Sequence, residues 1–312
     1  SQGPHKHTQS SPLFPCVGQS LSFDFLDAML VNNNLGGRGP DFGRAQNIRY
    51  ANVGSTVVPG VGVVRFDLVV TAQSTYTPAD LSGNGMEGMF AKISVAAGTQ
   101  VDLRVQTLPS CCTEQNCLVC DRMLTDSLRQ QCYAQGCCCM DHSVTNRDSC
   151  PPAALDRLRS AYGCPQANTP IVLPSTSLIG MSVFDFDSGS SNLYTEPLTV
   201  TDYAYFVSPL RSATGNPVTS LVSITEDLNV FTPRATFTSQ AGDATNPTSP
   251  QTLTDAQAAR GVQLFFRPNN GYVEATFAVA GPSGGRELLF AGDSALCAPP
   301  PPMPPVPPSP PA

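Results

Sequence analysis

Apolar residues recur at every second position over much of the chain. Ile93 and Val95, then Val101, Leu103 and Val105, follow this spacing. So do Val262, Leu264 and Phe266, and after them Val273, Ala275, Phe277 and Val279. Successive side chains of a strand point to opposite faces, so a period of two predicts strands with one buried face. The run 66–72, FDLVVTA, is continuously apolar and rich in Val and Leu, as a more deeply buried strand would be. Pro268-Asn269-Asn270-Gly271 separates two alternating runs, and Asn-Gly in that place predicts a hairpin. Helical spacing is scarce here. Residues 253–260, LTDAQAAR, predict one short helix starting at or near Thr254. The expected fold is mostly β. Residues 16–108 and 166–297 would form a β-sandwich or jelly roll, as one domain or two packed halves.

Three segments break the pattern. Residues 1–15, SQGPHKHTQSSPLFP, are polar and aperiodic, and are expected to form an extended N-terminal arm. Residues 109–165 read as a small Cys-rich helical insert. Leu124 and Leu128 lie at i,i+4, and Leu155, Leu158 and Tyr162 share a helical face behind Pro152. Residues 298–312 have Pro at ten of the last fourteen positions and predict a polyproline II tail. Such a tail serves as a spacer or stalk, or as an attachment scaffold or docking strand.

Cysteine usage changes the picture more than any other feature. Cys111, Cys112, Cys117, Cys120, Cys132, Cys137, Cys138, Cys139, Cys150 and Cys164 cluster in the insert, and Cys16 and Cys297 bracket the strands. An even, clustered count predicts disulfides and an oxidising compartment, hence a secreted, extracellular protein whose leader has been removed. Cys16 and Cys297 are expected to pair, tying the first strand to the last. The pairing of the other ten stays open. Zinc ligation at Cys117-x-x-Cys120 or Cys137–Cys139 would need reduced thiolates, so disulfides are the better reading.

The chain has 312 residues, enough for a sizeable core. Its formal charge of −7 argues against a nucleic-acid partner. No apolar run has the ~18 residues that a membrane-spanning helix needs. Charged residues make up 13% of the chain, about half the ~25% usual in soluble domains. Other groups must cover the surface: Ser, Thr, Asn, sugar or a neighbouring subunit.

Candidate chemistry is sparse. Asp185 and Asp187, in Asp185-Phe186-Asp187-Ser188-Gly189, put two carboxylates on one face of a strand end, an arrangement suited to Ca²⁺. Glu196 and Asp202 are further oxygen donors nearby, and Asp24 and Asp27 form a similar pair. No other cofactor is suggested, and none is required. The three histidines are His5, His7 and His142. No Gly-x-Ser-x-Gly, His-Glu-x-x-His or phosphate-loop pattern occurs, so no catalytic residue is assigned and the chain is not expected to be an enzyme. Residues 35–40, LGGRGP, lack the Lys-Ser/Thr of a phosphate loop and are expected to be a flexible surface loop.

No Asn-x-Ser/Thr sequon is present, because Pro247 spoils Asn246-Pro247-Thr248. Any glycan must therefore be O-linked. Candidate positions in the tail are Pro299, Pro300, Pro301, Pro302, Pro304, Pro305, Pro307, Pro308, Ser309, Pro310 and Pro311, the prolines after hydroxylation. Ser10-Ser11-Pro12 and the loop Thr245–Thr252 are others.

The stretches 33–42 (NNLGGRGPDF), 47–54 (NIRYANVG), 66–71 (FDLVVT), 84–103 (NGMEGMFAKISVAAGTQVDL), 181–190 (MSVFDFDSGS), 242–266 and 284–292 (GGRELLFAG) resemble a β-sandwich module of secreted algal and protist proteins. The tail resembles those of hydroxyproline-rich surface glycoproteins of green algae, of the pherophorin or mastigoneme kind. The resemblance implies an extracellular glycoprotein of matrix, cell coat or surface filament, and it implies no catalytic residues.

The expected function is that of a structural protomer in an extracellular O-glycosylated filament or coat. Its partners would be copies of itself and O-linked glycans, without nucleic acid and without membrane insertion. The alternative is a Ca²⁺-assisted, lectin-like carbohydrate-binding module on a Pro-rich stalk.

Overall fold

The computed structural model describes residues 25–26, 28–58, 62–109, 178–189, 193–227, 233–240, 242, 245–266 and 271–292. All twelve cysteines, the insert beyond Pro109, the Pro-rich tail, residues 1–24 and the Asp24/Asp27 pair lie outside these residues.

The alternating runs are strands, as their periodicity predicts. In chain order they are β1 (Met29–Asn33), β2 (Asn47–Val58), β3 (Gly62–Ala72), β4 (Gly85–Glu87), β5 (Phe90–Ala96), β6 (Thr99–Pro109) and β7 (Ile179–Phe184). Then come β8 (Leu198–Thr201), β9 (Tyr203–Val207), β10 (Val222–Asp227) and β11 (Arg234–Ser239). The helix α1 (Asp255–Ala258) follows, then β12 (Val262–Phe266), β13 (Tyr272–Val279) and β14 (Gly285–Gly292). The helix begins where the sequence places it. The Thr254 hydroxyl accepts from Gln257 N–H, and Gln257 Oε1 accepts from Thr254 N–H, a reciprocal cap.

The strands form two antiparallel sheets in a sandwich-like arrangement. One runs β1-β2-β3-β6-β13-β8-β11-β10 and the other β4-β5-β14-β7-β12-β9. Their inner faces supply a continuous core. Ile48, Tyr50, Phe66, Leu68, Val101, Leu103, Phe237 and Phe277 come from the first sheet. Ile93, Val95, Met181, Val183, Val262, Leu264, Phe266 and Phe290 come from the second. Each such side chain contributes roughly 1.5–3 kcal/mol by leaving water. Phe25 sits between the layers, edge-on to Tyr50 at 5.2 Å and to Phe290 at 5.9 Å. On β2, β3 and β6 the residues between core positions are buried as well, among them Arg49, Ala51, Asp67, Val69 and Thr107.

Consecutive strands change sheet at several corners. β5 and β14 pair in one sheet (Ala96 opposite Gly285), and their continuations β6 and β13 pair in the other (Thr99 opposite Val279). The ribbon therefore folds over as a unit. Gly98 and Gly284 make the bend at φ 75° and 77°, where side chains are disfavoured. Ala97 N–H donates to Gly284 O at 2.9 Å, and Gly98 N–H to Val279 O at 2.7 Å. β8 passes to β9 through Asp202, whose φ is 57°.

The expected hairpin at Asn270-Gly271 does not form. β12 pairs with β7 and β9, whereas β13 pairs with β6 and β8 in the other sheet. Both runs are strands, but a longer-range partner serves each better than its neighbour does. The expected flexible loop at 35–40 is also different. Leu35 is fully buried, and Asn34 Oδ1 accepts from Gly39 N–H, so the loop is packed into the sandwich edge.

Candidate functional site

Asp185 and Asp187 follow directly on β7. The strand ends at Phe184, and Asp185 takes a left-handed φ of 62°. That turn interrupts the alternation that would align the two carboxylates on one strand face. Asp187 is buried, and its Oδ1 accepts from Gly189 N–H at 2.9 Å and from Arg286 of β14. Arg286 Nε also lies 2.6 Å from Glu196 Oε1. The guanidinium rests over the Tyr194 ring, 4.6 Å from its centroid. Tyr194 in turn donates its hydroxyl proton to Ser283 O at 2.7 Å. Burial pushes the Glu196 carboxyl up to about 9, against the pull of Arg286 and with the negative charge of Asp187 assisting. Burial thus favours the protonated form of Glu196 beside the Arg286–Asp187 ion pair.

Chemically this cluster is a clasp. One arginine fork ties the segment after β7 and the segment before β8 to the start of β14. Among the described residues, no group of three or more His, Cys, Asp or Glu side chains is placed to hold a metal ion. Glu196 joins Asp187 through Arg286. Asp202 stands instead at the β8–β9 corner, where its N–H donates to Pro233 O. Arg286 and Tyr194 escaped the sequence reading, because their separation from Asp187 or their plain context gave no motif.

A second buried ion pair was equally hidden. Arg49 Nε donates to Asp67 Oδ2 at 2.7 Å, with both side chains at most 4% exposed. Asp67 Oδ1 accepts from Asn52 N–H at the β2 bulge, where Asn52 has φ 59°. This pair fixes β2 on β3 and lies within the fold.

The sheet edges are the remaining candidate feature. Of the four edge strands, β4 has only three residues. β1 is covered along its outer side by its own loop. Asp41 Oδ2 accepts from Asn33 N–H, Asp41 N–H donates to Asn33 O, and Arg44 Nη1 donates to Val31 O. β9 and β10 have no strand on their outer sides among the described residues. These two edges lie close together across the sandwich. Tyr203 of β9 donates to Glu226 of β10, and Phe206 of β9 packs edge-on to Phe237 of β11 at 5.1 Å. Beside this edge Tyr205 stacks on Phe265 of β12, with centroids 4.3 Å apart, both half-buried. Among the described residues no helix is long and apolar enough to cross a membrane.

Comparison with protein-family models, with curated proteins and with solved structures found no match.

Proposed function

We propose that the chain is a structural protomer of an extracellular, O-glycosylated filament or coat, assembled from copies of itself and without catalytic activity. The observation that carries this reading is the pair of sheet edges β9 and β10. Each ends its sheet without a strand partner among the described residues, and they lie side by side. An unpartnered edge is a template for strand addition unless it is short, covered or charged with lysine. The chain has only two lysines, Lys6 and Lys92, and neither is on β9 or β10. The low charge, the clustered cysteines and the Pro-rich tail accord with a secreted coat glycoprotein, the class the sequence resembles. A heterologous contact that does not close on itself produces a filament. Electron microscopy of the native secreted material tests the reading, with regular filaments expected.

A carbohydrate-binding module is the second reading, and the stacked Tyr205–Phe265 pair favours it. Its Ca²⁺ at Asp185 and Asp187 would have to displace Arg286 from Asp187. Glycan retention that EDTA leaves unchanged would remove Ca²⁺ from that reading.

A further inference from the structure

We propose that this chain pairs with a second copy of itself across the β1/β4 side of the sandwich, the exposed Phe42 of each copy seating on the acidic patch around Lys92 of the other. The inference deepens the protomer reading by naming one contact between copies. It lies on the side of the sandwich opposite β9 and β10.

Phe42 stands at the tip of a fixed turn. Arg44 N–H donates to Asp41 O at 3.2 Å, and Gly43 takes the third place of the turn at φ 85°, where glycine is favoured. The base of the turn is held to β1 by the two Asp41–Asn33 bonds, and Asn34 Nδ2 donates to Arg44 O at 2.9 Å. The tip itself is free-standing, since a Cβ at Gly43 would meet nothing within 4 Å. Phe42 is 69% exposed, the most of any large apolar side chain among the described residues. Arg38 and Arg44 flank it in sequence. Both are exposed, and neither has a carboxylate partner among the described residues. An aromatic ring and arginines on a pre-set turn are the composition of an interface anchor, with little ordering left to lose on binding.

The acceptor follows from charge. Lys92 Nζ lies 3.1 Å from Glu87 Oε2 and 3.3 Å from Glu287 Oε1, and these two carboxylates are 47% and 37% exposed. Asp80 joins them: its N–H donates to Ser94 Oγ at 3.3 Å, and Ser94 stands opposite Glu287 in register. Three acids around one lysine leave two negative charges, against two positive charges on the tip. Leu81, next to Asp80, is 52% exposed and gives Phe42 an apolar contact. The acids of β10 fit less well. Glu226 is bonded to Tyr203, Asp227 stands opposite Arg234, and no exposed large apolar side chain lies on that strand.

Tip and patch share one side of the molecule. The tip belongs to the loop that covers β1, and the patch is formed by β4, β5, β14 and the loop before β4. β1 and β4 end their sheets on the same side, where Asn33 Nδ2 donates to Asn84 O at 3.0 Å. A two-fold axis at that side brings each tip to the other copy's patch, an isologous contact that closes as a pair. It leaves β9 and β10 for a contact that extends the assembly.

The test replaces Phe42 with photo-crosslinking benzoylphenylalanine in the full chain. Unlabelled and ¹⁵N-labelled protein are mixed equally. Mass spectrometry is expected to find mixed light–heavy links on peptides covering residues 78–92. Links within single copies only, or mixed links that avoid this patch, overturn the inference. Sedimentation gives a second readout through a charge swap. Arg38→Glu/Arg44→Glu chains alone, and Asp80→Lys/Glu87→Lys chains alone, should pair about tenfold or more weakly than the parent, because several exposed ion pairs reverse at once. An equal mixture of the two should recover the pairing, since both contacts then match in charge. Phe42→Ser, which removes only an exposed ring, should weaken pairing without changing the circular dichroism spectrum. A parent that sediments as a monomer at every loading, or pairing indifferent to all these changes, contradicts the contact. Micrographs separate the two claims. Filaments from chains that do not pair this way remove the contact and leave the protomer reading; pairs without filaments remove that reading and leave the contact.

Discussion

The Tyr203 hydroxyl donates to Glu226 Oε1 at 2.6 Å, so the two open edges of the sandwich are tied to each other through one side-chain hydrogen bond. β9 belongs to one sheet and β10 to the other, and the bond closes the layers on the side where neither has a further strand among the described residues. Burial and the neighbouring carboxylate both hold the Tyr203 phenol well above the usual tyrosine range. Tyr203→Phe is expected to cost about 1.5–3 kcal/mol in chemical denaturation, the range for a bond to a charged acceptor. An unchanged midpoint would show that the bond contributes nothing to holding the edges.

Glu196 predicts a pH dependence. Its carboxyl ionises near 4.5 when unfolded and near 9 in the fold. Between these values the native state binds more protons than the unfolded state, so stability falls as pH rises across that window. Glu196→Gln should flatten this slope and make the protein more stable than the parent at pH 8. Thermal melts at pH 5, 6.5 and 8 decide it, and parallel curves for parent and variant would contradict the buried-acid assignment.

Arg49 and Asp67 predict a large single-variant effect. Removing one partner of a buried pair leaves the other charge unpaired, at about 3–5 kcal/mol. Asp67→Ala is expected in that range, because Asn52 N–H loses its acceptor as well. The double variant Arg49→Met/Asp67→Leu should recover most of the loss. A double variant as unstable as the sum of the singles would indicate that packing, not charge, dominates there.

Gly281 predicts a packing effect at the clasp. A Cβ at this position would stand 2.3 Å from Tyr194 Cδ1. Gly281→Ala must displace the ring that Arg286 rests on, for about 1–3 kcal/mol. If Tyr194→Ala is made first, the Gly281 substitution should become nearly silent in the same denaturation assay.

The strands were legible in the sequence wherever one face is buried. β12 shows it: Val262, Leu264 and Phe266 go inside while Gln263 and Phe265 are half-buried. Alternation announces a strand but not its partner, which explains the missing hairpin at Asn270-Gly271. β13 finds β6, whose pairing partners lie about 170 residues earlier, because the bent ribbon brings them together. The Thr254 cap was readable because capping chemistry is local. Asp187 stood out in the sequence as one of a strand-end carboxylate pair suited to Ca²⁺, but neither its burial nor its partner was readable, since Arg286 is 99 residues away. Arg49 and Asp67 occupy positions between core residues, where a polar side chain normally faces water. The run 66–72 does announce β3 as deeply buried, but nothing local marks β2 in that way or pairs Arg49 with Asp67.

Electron microscopy of the native secreted material, unfractionated and untagged, is the most direct measurement of the central claim. Regular filaments in which β10 of one copy is covered by a strand of the next are the predicted result. Discrete, monodisperse particles with β9 and β10 open to solvent would contradict it.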